Sequence, residues 1–255
     1  MRQNRLTSIE QHIIKNQSIS LDELCETFQV SKNTIRRDID ALVRKGSIQK
    51  VYGGVTAVNA SITLTPFDQR NIHHVDAKEI ICKTTANFIV DQDIVFIDSG
   101  TTCLQLIPYI KEKNITILTH SLSIAMAVIP YENINLITLP GTLNRKTLSY
   151  TGVETTEYLE RYNPNKAFMA CTGISLKHGV SNAATEEYAI KKKVLSLTEE
   201  TYLLADVTKF DQSAITTYAA LEQIKHYIID EMPPEAYVDY FQQHGCTLHI
   251  APKSL

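Results

Sequence analysis

Apolar positions recur at helical spacing three times in the first 45 residues, and then the rhythm changes. Leu6, Ile9, Ile13 and Ile14 form the first stripe, within residues 5–16. In "SISLDELCETFQVS" the pair Ser20 and Glu23 makes a capping-box start, and Leu21, Leu24, Cys25 and Phe28 form the second stripe. After only "QV", Ser31 can cap a further helix in which Ile35, Ile39 and Leu42 recur and Gly46 supplies the stop. Two short helices joined by a tight turn, behind a leading helix, predict a helix-turn-helix. The next stretch, "SIQKVYGGVTAV", reads as two strands around Gly53-Gly54, the wing of a winged-helix domain over residues 1–58.

A polar, proline-containing stretch follows, and residues 59–75 are expected to be a linker, with a helix over about 68–90. From Asp93 onward short β-branched runs alternate with helical patterns. The runs are "DIVFIDSGTT", "NITILTHS", "INLITLPGT", "KAFMACTGI", "TYLLADVTKF", "HYIIDE" and "CTLHIA". They are apolar throughout instead of alternating, as suits the interior of a mostly parallel sheet covered by helices. The expected fold is therefore α/β: an N-terminal winged helix-turn-helix domain plus a C-terminal α/β domain over residues 76–255.

Charge separates the two parts more sharply than the total of −3 suggests. Residues 1–58 hold nine Lys and Arg against six Asp and Glu, while the remainder holds sixteen against twenty-two. A basic front and an acidic rear fit a DNA-contacting module joined to one that does not touch DNA. The five scattered cysteines form no C-x-x-C, which argues against a disulfide framework or a zinc site and for small buried hydrophobes. Neither a signal-peptide pattern nor a membrane-spanning run is present, so a soluble cytoplasmic protein is expected, with no metal and no cofactor.

On the third helix, Lys32, Asn33, Arg36 and Arg37 share the face opposite Ile35, Ile39 and Leu42 and crowd its N-terminal half. That half meets base edges in helix-turn-helix proteins. Arg bonds bidentately to guanine and Asn to adenine, whereas Thr34 and Lys32 are equally suited to phosphates, and Ser31 is counted among the DNA contacts. On the wing, Lys50 and Tyr52 complete the expected contacts to double-stranded operator DNA. An isolated helix of this kind is equally explained by a solvated face; the capped helix before it and the wing after it favour DNA.

These residues also carry a family resemblance. The stretch "SLDELCETFQVSKNTIRRDIDALVRKGSIQKVYGGV" resembles the amino-terminal signature of the DeoR family of bacterial sugar-metabolism regulators, with Val30, Ser31, Thr34, Ile35, Arg36, Arg37, Asp38, Gly46, Gly53 and Gly54 at its motif positions. Asp38, an acid beside the arginines, is expected either to orient Arg37 or to pair within the domain.

In the rear part, "FIDSGTT" runs from a strand into small hydroxyl residues and an expected helix, "CLQLIPYI". The backbone N–H groups of Ser99, Gly100, Thr101 and Thr102 there make an anion seat, although the same motif also reads as a capped turn of no chemical purpose. Asp98 is expected to face sugar hydroxyls, because ligands of open α/β sheets bind beyond the carboxyl ends of strands. Other loops at strand ends repeat the theme: Thr119, His120 and Ser121; Gly141, Arg145 and Lys146; Thr172 and Gly173; Glu186, Glu187, Lys191 and Lys192; Asp206 and Lys209. No G-x-G-x-x-G or Walker A appears. Together the loops describe a pocket for a small polyhydroxylated anion.

The resemblance extends over nearly the whole chain. It implies a sensor domain similar in fold to ribose-5-phosphate isomerase, which binds a phosphorylated sugar and then loses DNA affinity. The matching positions are Asp98 to Thr102, Thr119 with Ser121, Gly141 with Arg145 and Gly152, Glu187, and Asp206 with Lys209 and Phe210. Two departures are His120 for the family's Asn and Pro140-Gly141 for Gly-Gly. Within the family, "SLDELCETFQVSKNT", "KVYGGVT" and "LLADVTKF" resemble the branch that represses inositol-utilisation operons, which implies a phosphorylated keto-deoxy-gluconate as inducer. The reading is a ligand-responsive repressor without catalysis, acting as a homodimer or homotetramer on two-fold operators. A sugar-phosphate isomerase with a DNA-binding appendage, using Asp98, Glu187 or Asp206 as base, and a transcriptional activator stand as the alternatives.

Overall fold

The computed structural model describes residues 2–16, 18–45, 47–51, 54–57 and 64–252. Two compact units divide the chain, Met1–Thr63 and Leu64–Leu255.

The first unit runs α1 (Arg2–Asn16), β1 (Ser18–Ser20), α2 (Leu21–Phe28), α3 (Lys32–Lys45), β2 (Ile48–Val51) and β3 (Gly54–Ala57). The Ser20 hydroxyl accepts the Glu23 N–H and so starts α2, and Gln29 ends it in the left-handed region at φ 50°. The three expected stripes converge: Ile9, Ile13, Leu24, Ile35, Ile39 and Leu42 are buried in one core with Ile48 and Val55 of the wing. β1 was not foreseen. It pairs antiparallel with β3, giving the order β1-β3-β2. Gly54 is what permits this approach, since a Cβ there would fall 2.3 Å from the Ile19 carbonyl oxygen. Tyr52, Gly46 and Gly53 lie outside the described residues.

The second unit opens with α4 (Phe67–Asn71), α5 (Val75–Thr85), β4 (Ile94–Ile97), α6 (Thr101–Leu104), α7 (Ile107–Ile110), β5 (Thr116–Thr119) and α8 (Leu122–Val128). It continues through β6 (Asn135–Thr138), β7 (Thr142–Asn144), β8 (Ser149–Thr151), α9 (Val153–Leu159), β9 (Lys166–Met169), β10 (Gly173–Ser175) and β11 (Gly179–Asn182). It closes with α10 (Tyr188–Leu197), β12 (Glu200–Ala205), β13 (Thr216–Ala219), β14 (His226–Ile229), α11 (Glu235–His244) and β15 (Thr247–Ile250). The expected linker is shorter than 59–75. From Leu64 onward it belongs to this unit, where Phe67 is buried and its N–H donates to the Lys146 carbonyl at 2.7 Å. The helix expected over 68–90 is interrupted between α4 and α5, where His74 takes a left-handed φ of 53°.

The seven apolar runs form one parallel sheet of order β15-β14-β12-β9-β4-β5-β6. Their lack of alternation has a direct cause: both faces are covered. Phe96, Leu118, Met169 and Leu203 face one core with α10 and α11, whereas Val95, Ile97, Ile117 and Leu204 face another with α5 to α8. A small antiparallel sheet, β10-β11-β13, and the β7-β8 hairpin sit outside the main sheet. After β4, β5 and β6 run in one direction, the chain returns to lay β9 on the other side of β4. The order therefore reverses between β4 and β9, and ligands of such sheets bind beside that reversal.

Candidate functional site

The DNA-facing candidates lie on α3 and the wing. Ser31 starts α3: its carbonyl accepts the Thr34 and Ile35 N–H groups at 2.9 and 3.0 Å, and its hydroxyl lies 3.0 Å from that of Thr34. Asn33, Arg36 and Arg37 are exposed, while Ile35, Ile39 and Leu42 point into the core. Lys32 is exposed and ion-paired with Asp22 of α2, and Lys50 pairs with Asp40 at 2.6 Å. Asp38 takes the second of its two expected roles. It is buried, and its Oδ2 accepts from Arg5 Nε of α1 at 2.8 Å, which ties the reading helix to the leading helix. Arg5 carried no sequence signal of its own.

In the second unit a cavity of about 250 Å³ opens at the carboxyl ends of β4, β9 and β12, at the reversal of strand order. Of the expected effector contacts, Gly100, Thr101, Thr102, Asp206 and Lys209 line it, together with Thr172. The sequence reading missed Arg70, His73 and His74 on the segment before α5, and Lys78 on α5 itself. Lys78 did leave a signal: it lies on the buried stripe of α5 with Ile81, Cys82 and Thr85, where a lysine is out of place unless its ammonium has a purpose. Burial, with the charge of Lys209 next in effect, pushes Lys78 down to about 8. Its ammonium donates to the Arg70 carbonyl at 2.6 Å, and Arg70 Nε donates to the Thr65 carbonyl at 3.0 Å.

Several expectations need correction. Asp98 does not face the cavity. It is fully buried, its Oδ2 held by the Lys191 ammonium and by the Ala170 N–H at 2.9 Å, and Lys191 in turn donates to the Ala170 carbonyl at 3.1 Å. Ser99 and Glu187 are likewise internal. Glu187 accepts from Ser99 and Ser149 at 2.8 Å each and from Asn182 at 2.9 Å, so three separate segments converge on one buried carboxylate. These contacts clamp β4, β8, β11 and the start of α10 below the cavity. A motif can mark a strand end but not the direction in which its acid points.

Thr119 is buried and donates to the Ile97 carbonyl at 2.7 Å, while Ser121 caps α8. His120 is buried, stacked on Phe96, with Nε2 3.8 Å from Asp98 Oδ1; burial lowers its pKa, so the ring is neutral. Gly141 lines a different, apolar groove beside α8; Arg145 is exposed in the β7-β8 turn. Gly173 opens β10 at a close approach, where a Cβ would lie 2.5 Å from the Gln212 carbonyl oxygen. The expected helix "CLQLIPYI" is broken into two single turns, α6 and α7. One turn has little dipole, so the positive potential here comes from Arg70, Lys78 and Lys209. Cys171 also lines the cavity, but burial pushes its thiol up to about 12, which leaves it unreactive.

Comparison with known proteins agrees with this division. Residues 5–61 match the model of the DeoR-like helix-turn-helix domain, and residues 73–231 match the DeoR C terminal sensor domain. The chain is 44% identical over 253 residues to the HTH-type transcriptional regulator IolR of Bacillus subtilis, covering 98% of this chain and 100% of that protein. It is 24% identical to the glycerol-3-phosphate regulon repressor of Escherichia coli, covering 93% of this chain and 95% of that one. A solved structure of ribose 5-phosphate isomerase A from Neisseria gonorrhoeae covers 53% of each chain with a TM-score of 0.40 and 14% identity, too distant a likeness to bear on function. With both domain models matched in order, and a relative of such identity spanning the whole length, the chain belongs to the DeoR family of helix-turn-helix transcriptional regulators.

Proposed function

We propose that this protein is a DNA-binding repressor of a carbohydrate-catabolic operon, released from its operator by a phosphorylated sugar held in the cavity above β4, β9 and β12. The observation that carries the reading is the charge of that cavity. Arg70, Lys78 and Lys209 converge on a space of about 250 Å³ in which, among the described residues, Asp206 is the one acidic lining residue. A phosphate supplies the missing negative charge, and Gly100 to Thr102, Thr172 and the two histidines supply partners for hydroxyls. Asp98, Ser99 and Glu187 then act indirectly, as the buried clamp that fixes the loop.

Binding need only favour the conformation with weaker DNA affinity; no chemical step is required. Of the three carboxylates an isomerase reading offers, Asp98 and Glu187 are turned to internal partners. Asp206, which lines the cavity, lies 3.7 Å from Lys209 and accepts the Thr208 N–H. Two bases out of reach favour a sensor over an enzyme. The resemblance of "SLDELCETFQVSKNT", "KVYGGVT" and "LLADVTKF" to the branch that represses inositol-utilisation operons supports a phosphorylated keto-deoxy-gluconate as the effector. Homodimers or homotetramers on two-fold operator DNA in the cytoplasm complete the reading; among the described residues no helix is long and apolar enough to cross a membrane.

The test is a thermal-shift screen against sugar phosphates, repeated with operator DNA present. The expected effector raises the melting temperature of the free protein and dissociates the operator complex. Multiple turnovers of any sugar phosphate would replace the sensor reading with the enzymatic one.

A further inference from the structure

The cavity has two sides of different standing. One belongs to the sheet and its helices: Gly100 to Thr102, Thr172, Asp206 and Lys209, with Lys78 on α5. The other is the segment Leu64–His74, which contributes Thr65, Arg70, His73 and His74. This segment is a strap. Phe67 anchors it, buried and bonded to the Lys146 carbonyl, and at the far end His74 precedes α5 in the left-handed region with no side-chain cap. A non-glycine residue held at φ 53° is disfavoured, so this end of the strap is a strained hinge.

Between its ends the strap is held by bonds that the cavity's own cations make: Lys78 to the Arg70 carbonyl and Arg70 to the Thr65 carbonyl. Those cations repel one another. Lys209 and Arg70 both disfavour the charge on Lys78, and Lys209 is 3.7 Å from Asp206, the one lining acid. Among the described lining residues three cations face one acid, and even with the buried Glu187 carboxylate acting on Arg70 the cavity keeps a net positive charge that draws a phosphomonoester dianion.

Resting on the phosphate reading of this cavity, we propose that the dianion is gripped from both sides, by Arg70 of the strap and by Lys78 and Lys209 of the body, so that its arrival clamps Leu64–His74 against the sheet. Charge-assisted bonds to a dianion are stronger than the bonds to neutral carbonyls that hold the strap without it. The anion therefore converts a repulsion across the cavity into a bridge. The strap begins at the first residue after Thr63, where the DNA-binding unit ends. Occupancy is thus read by the stretch of chain that leads directly to that unit.

Hydrogen exchange on the full chain, with saturating inorganic phosphate and with sodium chloride at matched ionic strength, tests the clamp. Amides within 64–74 are expected to exchange at least tenfold more slowly with phosphate and unchanged with chloride, while peptides from α11 stay constant. Arg70→Gln is expected to bind phosphate more weakly, by calorimetry, through Lys78 and Lys209, and to show no strap protection even at a phosphate concentration that saturates it. Phosphate binding to the wild-type chain without protection at 64–74, or full protection in Arg70→Gln, overturns the clamp while leaving the cavity reading intact. No heat of phosphate binding to the wild-type chain removes the cavity reading and the clamp together. If Arg70→Gln does not fold, the wild-type comparison of phosphate with chloride still decides.

Discussion

Replacing Lys191 by methionine removes the cation from the best-buried ion pair in the sensor unit and leaves Asp98 with the Ala170 N–H as its described partner. Both side chains are almost wholly shielded from solvent, at 2% and 0% exposure. Breaking such a pair from one side costs about 3–5 kcal/mol, because the remaining charge is stranded. For a domain of 150–250 residues that is a fall in Tm of roughly 6–20 °C. The assay is urea or thermal unfolding of the sensor-unit transition at several pH values. In the native chain burial opposes ionisation of Asp98, but the Lys191 charge overcomes it and holds the carboxyl below its ordinary value of 3.8. That contribution is complete above the ordinary value and is lost only as pH falls through the lower native one. In Lys191→Met the largest opposing charge is gone and burial outweighs the remaining Ala170 N–H bond, so the carboxyl moves above its ordinary value and the folded state binds more protons than the unfolded one. The stability deficit therefore shrinks as pH falls from 7 toward 4, a window in which the wild-type pair keeps its full contribution. Asp98→Asn with Lys191→Met should recover much of the loss at pH 7, since no charge is then stranded. A Lys191→Met protein within about 1 kcal/mol of wild type at pH 7, or a deficit that does not shrink on acidification, refutes the argument.

Other outcomes follow from the same geometry. Arg36→Ala and Arg37→Ala should each weaken operator binding by roughly 5- to 150-fold, the worth of one bidentate base contact, with unchanged Tm and effector response; loss of folding would make these arginines structural. Asp38→Ala should lower the melting temperature of the DNA-binding unit through loss of the Arg5 contact while base selectivity among operator variants stays the same. Lys209→Ala should bind operator normally and need a higher effector concentration for release, as gel-shift titration would show. Phosphate affinity should fall as pH rises past about 8, where Lys78 loses its charge in the empty cavity. Lys78→Arg, which stays charged, should flatten that part of the calorimetric pH profile.

Much of the architecture was legible in the chain because each local signal had a local cause. The apolar stripes of α1, α2 and α3 could be matched to a core without knowing their neighbours, and the seven apolar runs became the seven strands because burial on both faces leaves no room for alternation. Motif positions located the cavity's floor, Gly100 to Thr102, and Asp206 with Lys209, since these follow directly from strand ends.

What only the tertiary structure decided depends on segments far apart in sequence. Strand order, with β9 returning beside β4, selects which strand ends share a cavity, and nothing local encodes that order. The direction of Asp98 was set by Lys191, 93 residues away, and the burial of Glu187 by hydroxyls and an amide from three other segments. The stretch 64–74, polar enough to pass for linker, became a wall of the site because Phe67 found a buried seat and Arg70 a place over the strand ends. By itself the sequence determined the helices and the strands; long-range packing determined which charges were left facing the cavity, because a buried charge goes wherever its partner is.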